Sequence, residues 1–93
     1  MTKKQKQKWI KVLRSGKYKQ GSNHLKLNNR YCCLGVAREI GVCYRYNLEE
    51  FVNISFLPIK IQKALANLND NGVPFEVIAG FIDFAVEPTE GVG

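Results

Sequence analysis

The sequence predicts a small α+β domain, mostly helical, with four helices and one or two short β-hairpins. Apolar residues recur at helical spacing in four separate stretches. Two other stretches, rich in alternating or β-branched and aromatic residues, flank turn-forming residues. An uncharged segment, Tyr31-Cys32-Cys33-Leu34-Gly35-Val36, runs on into Ala37-Arg38-Glu39-Ile40 and joins a basic first third to an acidic last third. It is the expected core segment onto which both ends pack. At 93 residues the expectation is a single domain over 1–93, with 88–93 a frayed tail. A chain of this size buries roughly 60–70% of its unfolded surface, enough for one modest core.

The first helix is read from its ends. Thr2-Lys3-Lys4-Gln5 fits a capping box, so the helix starts at residue 3, and Ser15-Gly16 stops it after Arg14. At about 100° per residue, Val12, Trp9, Leu13 and Ile10 share one arc, and Lys3, Arg14, Lys11, Lys4 and Lys8 the opposite one. No acid stands at i+4 to pair with those cations, so the arc faces solvent or a partner.

Lys17 to Arg30 is polar and turn-rich. Leu25-Lys26-Leu27 followed by Asn28-Asn29 predicts a hairpin whose return strand begins at Tyr31-Cys32. A helix from Cys33 to Gly41 follows; Gly35 inside it costs up to ~1 kcal/mol against alanine and implies close packing there. Residues 42–46 and 51–56 read as a second hairpin, with a short helix capped by Asn47 as the rival reading. Leu57-Pro58 opens the third helix, with Ile61, Ala64, Leu65 and Leu68 on one face and Lys60, Lys63 and Asn67 on the other. Asn69-Asp70-Asn71-Gly72 reads as a turn, after which Pro74 opens a last helix to about Val86. Apolar residues cover roughly 220° of that helix, about twice a normal core face. The expectation is therefore a homo-oligomer, most simply a dimer, with Val77, Phe81 and Phe84 at its interface.

Charge is unevenly spread. Residues 1–30 carry ten Lys or Arg and no acid, whereas residues 31–93 carry four basic residues against eight acidic ones. The first third is thus +10 and the remainder −4, a polarity that attracts anionic partners or lets copies meet head to tail. No apolar run approaches the ~20 residues of a membrane span and no signal-like region follows the N-terminus, so a cytoplasmic protein without membrane contact is expected.

The residues offer little to a catalyst. His24 lies eight or nine residues before Cys32 and Cys33, a spacing that raises the question of a thiol nucleophile and its base. Those thiols sit in an apolar segment, where cysteine is a small inert hydrophobe, and His24, the one histidine, reads as a surface residue. One histidine and three poorly spaced cysteines match no metal-ligand spacing, so neither metal nor cofactor is expected. Helices 58–68 and 74–86 have helix-turn-helix lengths, but the second lacks Arg, Lys, Asn or Gln to read bases and carries two acids.

Trp9, then Leu13-Arg14-Ser15-Gly16-Lys17-Tyr18-Lys19-Gln20-Gly21, then Tyr31-Cys32-Cys33-Leu34-Gly35-Val36, then Leu57-Pro58, then Leu68-Asn69-Asp70-Asn71-Gly72 with Phe75, Ile78 and Ala79, follow one another in a recognisable order. This pattern resembles a family of small proteins from tailed phages and prophages: W-x3-L-R-S-G-x-Y-x-Q-G, C-C-L-G-V, L-P and L-N-D-x-G-x-x-F-x-x-I-A. The chain departs from it in being short between Ile40 and Leu57. The resemblance implies a phage accessory protein acting in host takeover or counter-defence, and it carries over no catalytic residue. The expected function is that of a non-catalytic binder for an anionic partner, a nucleotide signal or an acidic host protein. Its candidate ligand-binding residues are Lys4, Lys8, Lys11, Arg14, Tyr18, Lys19, Gln20, His24 and Arg30. The alternative is a nucleic-acid-binding regulator using the same face, and a cysteine-dependent enzyme comes third.

Overall fold

The computed structural model describes residues 1–24, 26–42 and 57–88. The expected second hairpin and the frayed tail lie outside them, apart from Val42, which is buried, and the chain from Leu57 and up to Pro88. The described chain is α+β: four helices and a three-stranded sheet around one core.

Helix α1, Lys3–Ser15, begins as the capping box dictates. Thr2 Oγ1 accepts from the Gln5 amide at 3.1 Å, and the Thr2 amide donates to Gln5 Oε1 at 2.9 Å, so two amides that the helix leaves orphaned are satisfied. Gly16 closes the helix in the left-handed region at φ 80°, where a Cβ would be strained. Trp9, Ile10 and Leu13 are buried.

The sheet comprises β1 (Lys19–Gln20), β2 (Lys26–Leu27) and β3 (Arg30–Tyr31), in the order β1-β3-β2. Strands β2 and β3 form the expected hairpin, joined by Asn28 (φ 53°) and Asn29 (φ 67°). Both central residues of such a primed turn need positive φ, which asparagine tolerates better than other non-glycine residues. The return strand is Arg30–Tyr31 and not Tyr31-Cys32, because Cys32 already serves as the N-cap of the next helix: its Sγ accepts from the Gly35 amide at 3.4 Å. The parallel strand β1 was not expected. Its approach depends on Gly21, where a Cβ would stand 2.7 Å from Arg30 Cβ, and the Gly21 amide donates to the Tyr31 carbonyl at 2.8 Å.

Helix α2, Cys33–Glu39, is buried along most of its length, Gly35 included, and Gly41 (φ 81°) ends the turn beyond it. Helix α3 spans Ile59–Asp70 and α4 spans Phe75–Ala85, each entered through a proline, Pro58 and Pro74. Helix α1 packs chiefly on α4, and α2 on α3. Lys6 of α1 reaches the far end of α4, donating to the carbonyls of Asp83 (3.0 Å) and Val86 (2.8 Å). A cation at a helix C-terminus satisfies orphan carbonyls and opposes the negative dipole end.

One expectation is corrected at the end of α3. Asn69 and Asp70 are not turn residues: the helix continues through both, and the turn is only Asn71 and Gly72 (φ 85°). Asn69 is buried, with 1% of its surface exposed. Its Oδ1 accepts from Gln20 Nε2 (3.0 Å) and from the Cys33 amide (3.2 Å), and its Nδ2 donates to the Gly21 carbonyl (2.7 Å). Gln20 completes the knot, donating to the Val73 carbonyl at 2.7 Å and accepting from the Phe75 amide at 3.1 Å. Four elements are thus fastened at one point: β1, the start of α2, the end of α3 and the start of α4. Asparagine's preference for turns arises from bonding nearby backbone, and here distant backbone supplies the same bonds inside a helix. Trp9 Nε1 donates to the Cys33 carbonyl at 3.1 Å, which ties α1 to the same place.

Candidate functional site

Beside this knot the sheet forms a shallow groove of about 510 Å³, lined by Lys17, Tyr18, Lys19, Asn28, Asn29, Arg30 and Tyr31. Pairing creates it. The parallel register sets Lys19 opposite Arg30 and Gln20 opposite Tyr31, and the antiparallel register sets Lys26 opposite Tyr31. Tyr18 and Tyr31 meet edge to face, ring centroids 4.9 Å apart and planes at 74°, the geometry favoured by the ring quadrupole. Lys17 Nζ stands 5.6 Å from the Tyr18 centroid and Lys26 Nζ 5.4 Å from that of Tyr31. Lys17, Lys19, Lys26 and Arg30 are all exposed, and no lining residue is acidic. Arg30 Nη1 donates to the Gln20 carbonyl at 3.3 Å. Among the described residues the one ion pair is Lys6 with Asp83 at 3.9 Å, so no described acid lies within ion-pair reach of the groove's cations.

The residues singled out in the sequence divide three ways. Tyr18, Lys19 and Arg30 meet in the groove. Lys4, Lys8, Lys11 and Arg14 lie exposed on α1 and line none of it; Lys8 Nζ donates to the Ile40 carbonyl at 3.3 Å, and the Arg14 guanidinium lies against Gly80 of α4. Gln20 is not available to a ligand, because its amide is spent on Asn69, Val73 and Phe75. His24 is exposed and makes no hydrogen bond among the described residues. Lys17, Asn28, Asn29 and Tyr31 join the groove unannounced. The acid-free charge of the first thirty residues was their signal, but only the strand pairing brings them together.

Helix α1 also carries cations where folding disfavours them. Lys3 and Lys4 occupy its first turn with no acid there, at the positive end of the helix dipole. Such placement costs roughly 0.3–1 kcal/mol per charge at low salt.

The described thiols are placed as structure. Cys32 and Cys33 are free and buried, and Cys33 Sγ contacts the Leu65 carbonyl at 3.7 Å. Burial pushes both thiols above the usual cysteine value, and Cys32 beside it raises Cys33 further. No hydrogen bond joins either to His24. Among the described residues no three His, Cys, Asp or Glu are grouped to hold a metal, and no helix is long and apolar enough to cross a membrane.

On α4, Phe84 is 88% exposed and Val77 58%, one above the other two turns apart. Phe81 is instead half-buried and packs against the core.

No curated protein and no solved structure matches this chain. Residues 1–55 match a family described as Domain of unknown function (DUF8296), a span holding α1, the whole sheet with its groove, and α2. With more than half of its 93 residues matched, the chain belongs to the DUF8296 family.

Proposed function

We propose that this chain is a phage accessory protein, a non-catalytic binder that captures an anionic partner on its basic N-terminal face. The partner is a nucleotide signal or an acidic host protein of the cytoplasm, and the setting is host takeover or counter-defence. One observation carries the reading: three exposed cations, Lys17, Lys19 and Arg30, line a groove, with Lys26 beside them over the Tyr31 ring, and no acid among the described residues pairs with them. Such a cluster repels itself and gains when an anion enters it. The burial of Cys32 and Cys33, with their thiols held protonated, supports a binder over a thiol enzyme. Exposed Val77 and Phe84 support a dimer built on α4, with Phe81 as the inner edge of the contact.

A second reading is a nucleic-acid-binding regulator, favoured by Lys4 and Lys11, exposed on α1 and with no ion-pair partner among the described residues. Two reversals separate the readings. Lys4, Lys8 and Lys11 to Glu removes the helix arc; Lys19 and Arg30 to Glu inverts the groove. Binding to inorganic polyphosphate, hexaglutamate and a 20-base-pair duplex is measured at 50 and 200 mM salt. The groove reversal should abolish binding to the preferred probe while the helix reversal leaves it within a few-fold. A duplex binder touching six phosphates would instead lose ~10³ or more in affinity between the two salts, and would lose it through the helix arc as well. Binding that survives the groove reversal at both salts refutes the proposal.

A further inference from the structure

Resting on that reading, we infer that the groove is a site for a nucleoside phosphate, its base stacked on Tyr18, which Tyr31 braces edge to face, and its phosphate held by Lys19 and Arg30. Three features select this chemistry over an acidic peptide. Carboxylates ask only for cations, whereas this groove sets two tyrosine rings among its cations, 4.9 Å apart and edge to face. Its volume of about 510 Å³ falls within the ~300–1,000 Å³ of small-ligand sites. Asn28 and Asn29, held at the rim by the turn, present side-chain amides able both to donate and to accept at the edge of a base.

The lysines over the rings are not an obstacle. An exposed cation–π contact contributes only ~2–5-fold to an equilibrium. Stacking of a base on an aromatic side chain contributes ~5–150-fold. A base stacked on Tyr18 therefore displaces Lys17 from that ring face, and the freed ammonium group turns toward the phosphate. Neither tyrosine hydroxyl is needed for this, only the rings. The same chemistry is offered by a free nucleotide and by one unit of a single strand.

Isothermal titration calorimetry on the full chain decides the matter, with five kinds of probe: the four ribonucleoside 5′-monophosphates, ribose 5-phosphate, inorganic pyrophosphate, hexaglutamate and a ten-residue oligoadenylate. At least one mononucleotide should bind ~10-fold or more tightly than ribose 5-phosphate. Tyr18→Leu should bring that nucleotide down to the ribose 5-phosphate value while leaving the latter unchanged. Asn29→Asp, which keeps a residue tolerant of positive φ and adds a charge at the rim, should weaken nucleotide and sugar phosphate alike with an unaltered circular dichroism spectrum. An oligoadenylate that binds no tighter per site than AMP identifies the free nucleotide as ligand, and one tighter by more than tenfold identifies the single strand. Nucleotides and ribose 5-phosphate of equal affinity would overturn the nucleoside site and leave the anion binder standing. Preference for hexaglutamate would do the same in favour of an acidic protein. If no probe binds, both readings fall.

Discussion

Replacing Asn69 tests whether the polar knot, more than the apolar core around it, holds the four elements in register. Asn69→Ala strips the Cys33 amide, a buried donor, of its acceptor and the part-buried Gly21 carbonyl of its donor. Gln20 keeps its bonds to Val73 and Phe75. A buried group left without a partner costs about 1–3 kcal/mol, and the half-wet carbonyl less, so the variant should lose about 2–4 kcal/mol. A chain of this length has a total stability of roughly 5–14 kcal/mol, so the melting temperature should fall by about 10–30 °C. Asn69→Asp is isosteric and more telling. It keeps the acceptor for Gln20 and Cys33 but sets an oxygen where Nδ2 lay 2.7 Å from the Gly21 carbonyl. A carboxylate buried there has its pKa raised by lost solvation, and only its protonated form restores the donor. Because the folded state then binds the proton more tightly than the unfolded one, the variant's deficit should grow as pH rises from about 4 to 7. Urea unfolding followed by the fluorescence of Trp9, which is buried and bonded to the Cys33 carbonyl, reads both variants directly. An Asn69→Ala variant within 0.5 kcal/mol of the parent (on the order of an exposed substitution), or an Asn69→Asp deficit flat with pH, would refute the reasoning.

Two further outcomes are expected. Iodoacetamide should label Cys32 and Cys33 slowly in the native protein and rapidly in denaturant, since both are buried and burial raises their pKa, which leaves little thiolate at pH 7. Fast native labelling at pH 7 would revive the thiol-enzyme reading. Phe84→Glu removes a ring that is 88% exposed in one chain, so the protomer should stay folded with an unchanged melting temperature at low concentration, while sedimentation equilibrium shows a shift from dimer to monomer. A parent protein that already sediments at 10.6 kDa at high micromolar concentration would show that α4 needs no second copy.

Most of the architecture was written in local chemistry. Thr2 and Gln5 marked the start of α1 and Gly16 its end, because helix termini need partners and a left-handed residue that few side chains supply. Asn28-Asn29 marked the hairpin for the related reason that its turn needs positive φ twice. The spacing of Trp9, Ile10 and Leu13 marked the face of α1 that is buried. The excess of cations in the first thirty residues was likewise plain from the sequence.

What the tertiary structure alone decided is which polar residues face inward and which meet. Gln20 and Asn69 are ordinary surface and turn types by composition, and they became the centre of the fold because backbone groups from three other elements converge on them. The groove depends on a parallel pairing of two-residue strands, too short to leave a period in the sequence, which carries Lys19 to Arg30 across ten intervening residues. Long-range pairings of this kind are set by the summed packing of the helices around them and not by any local preference, so no reading of residues in order could place them.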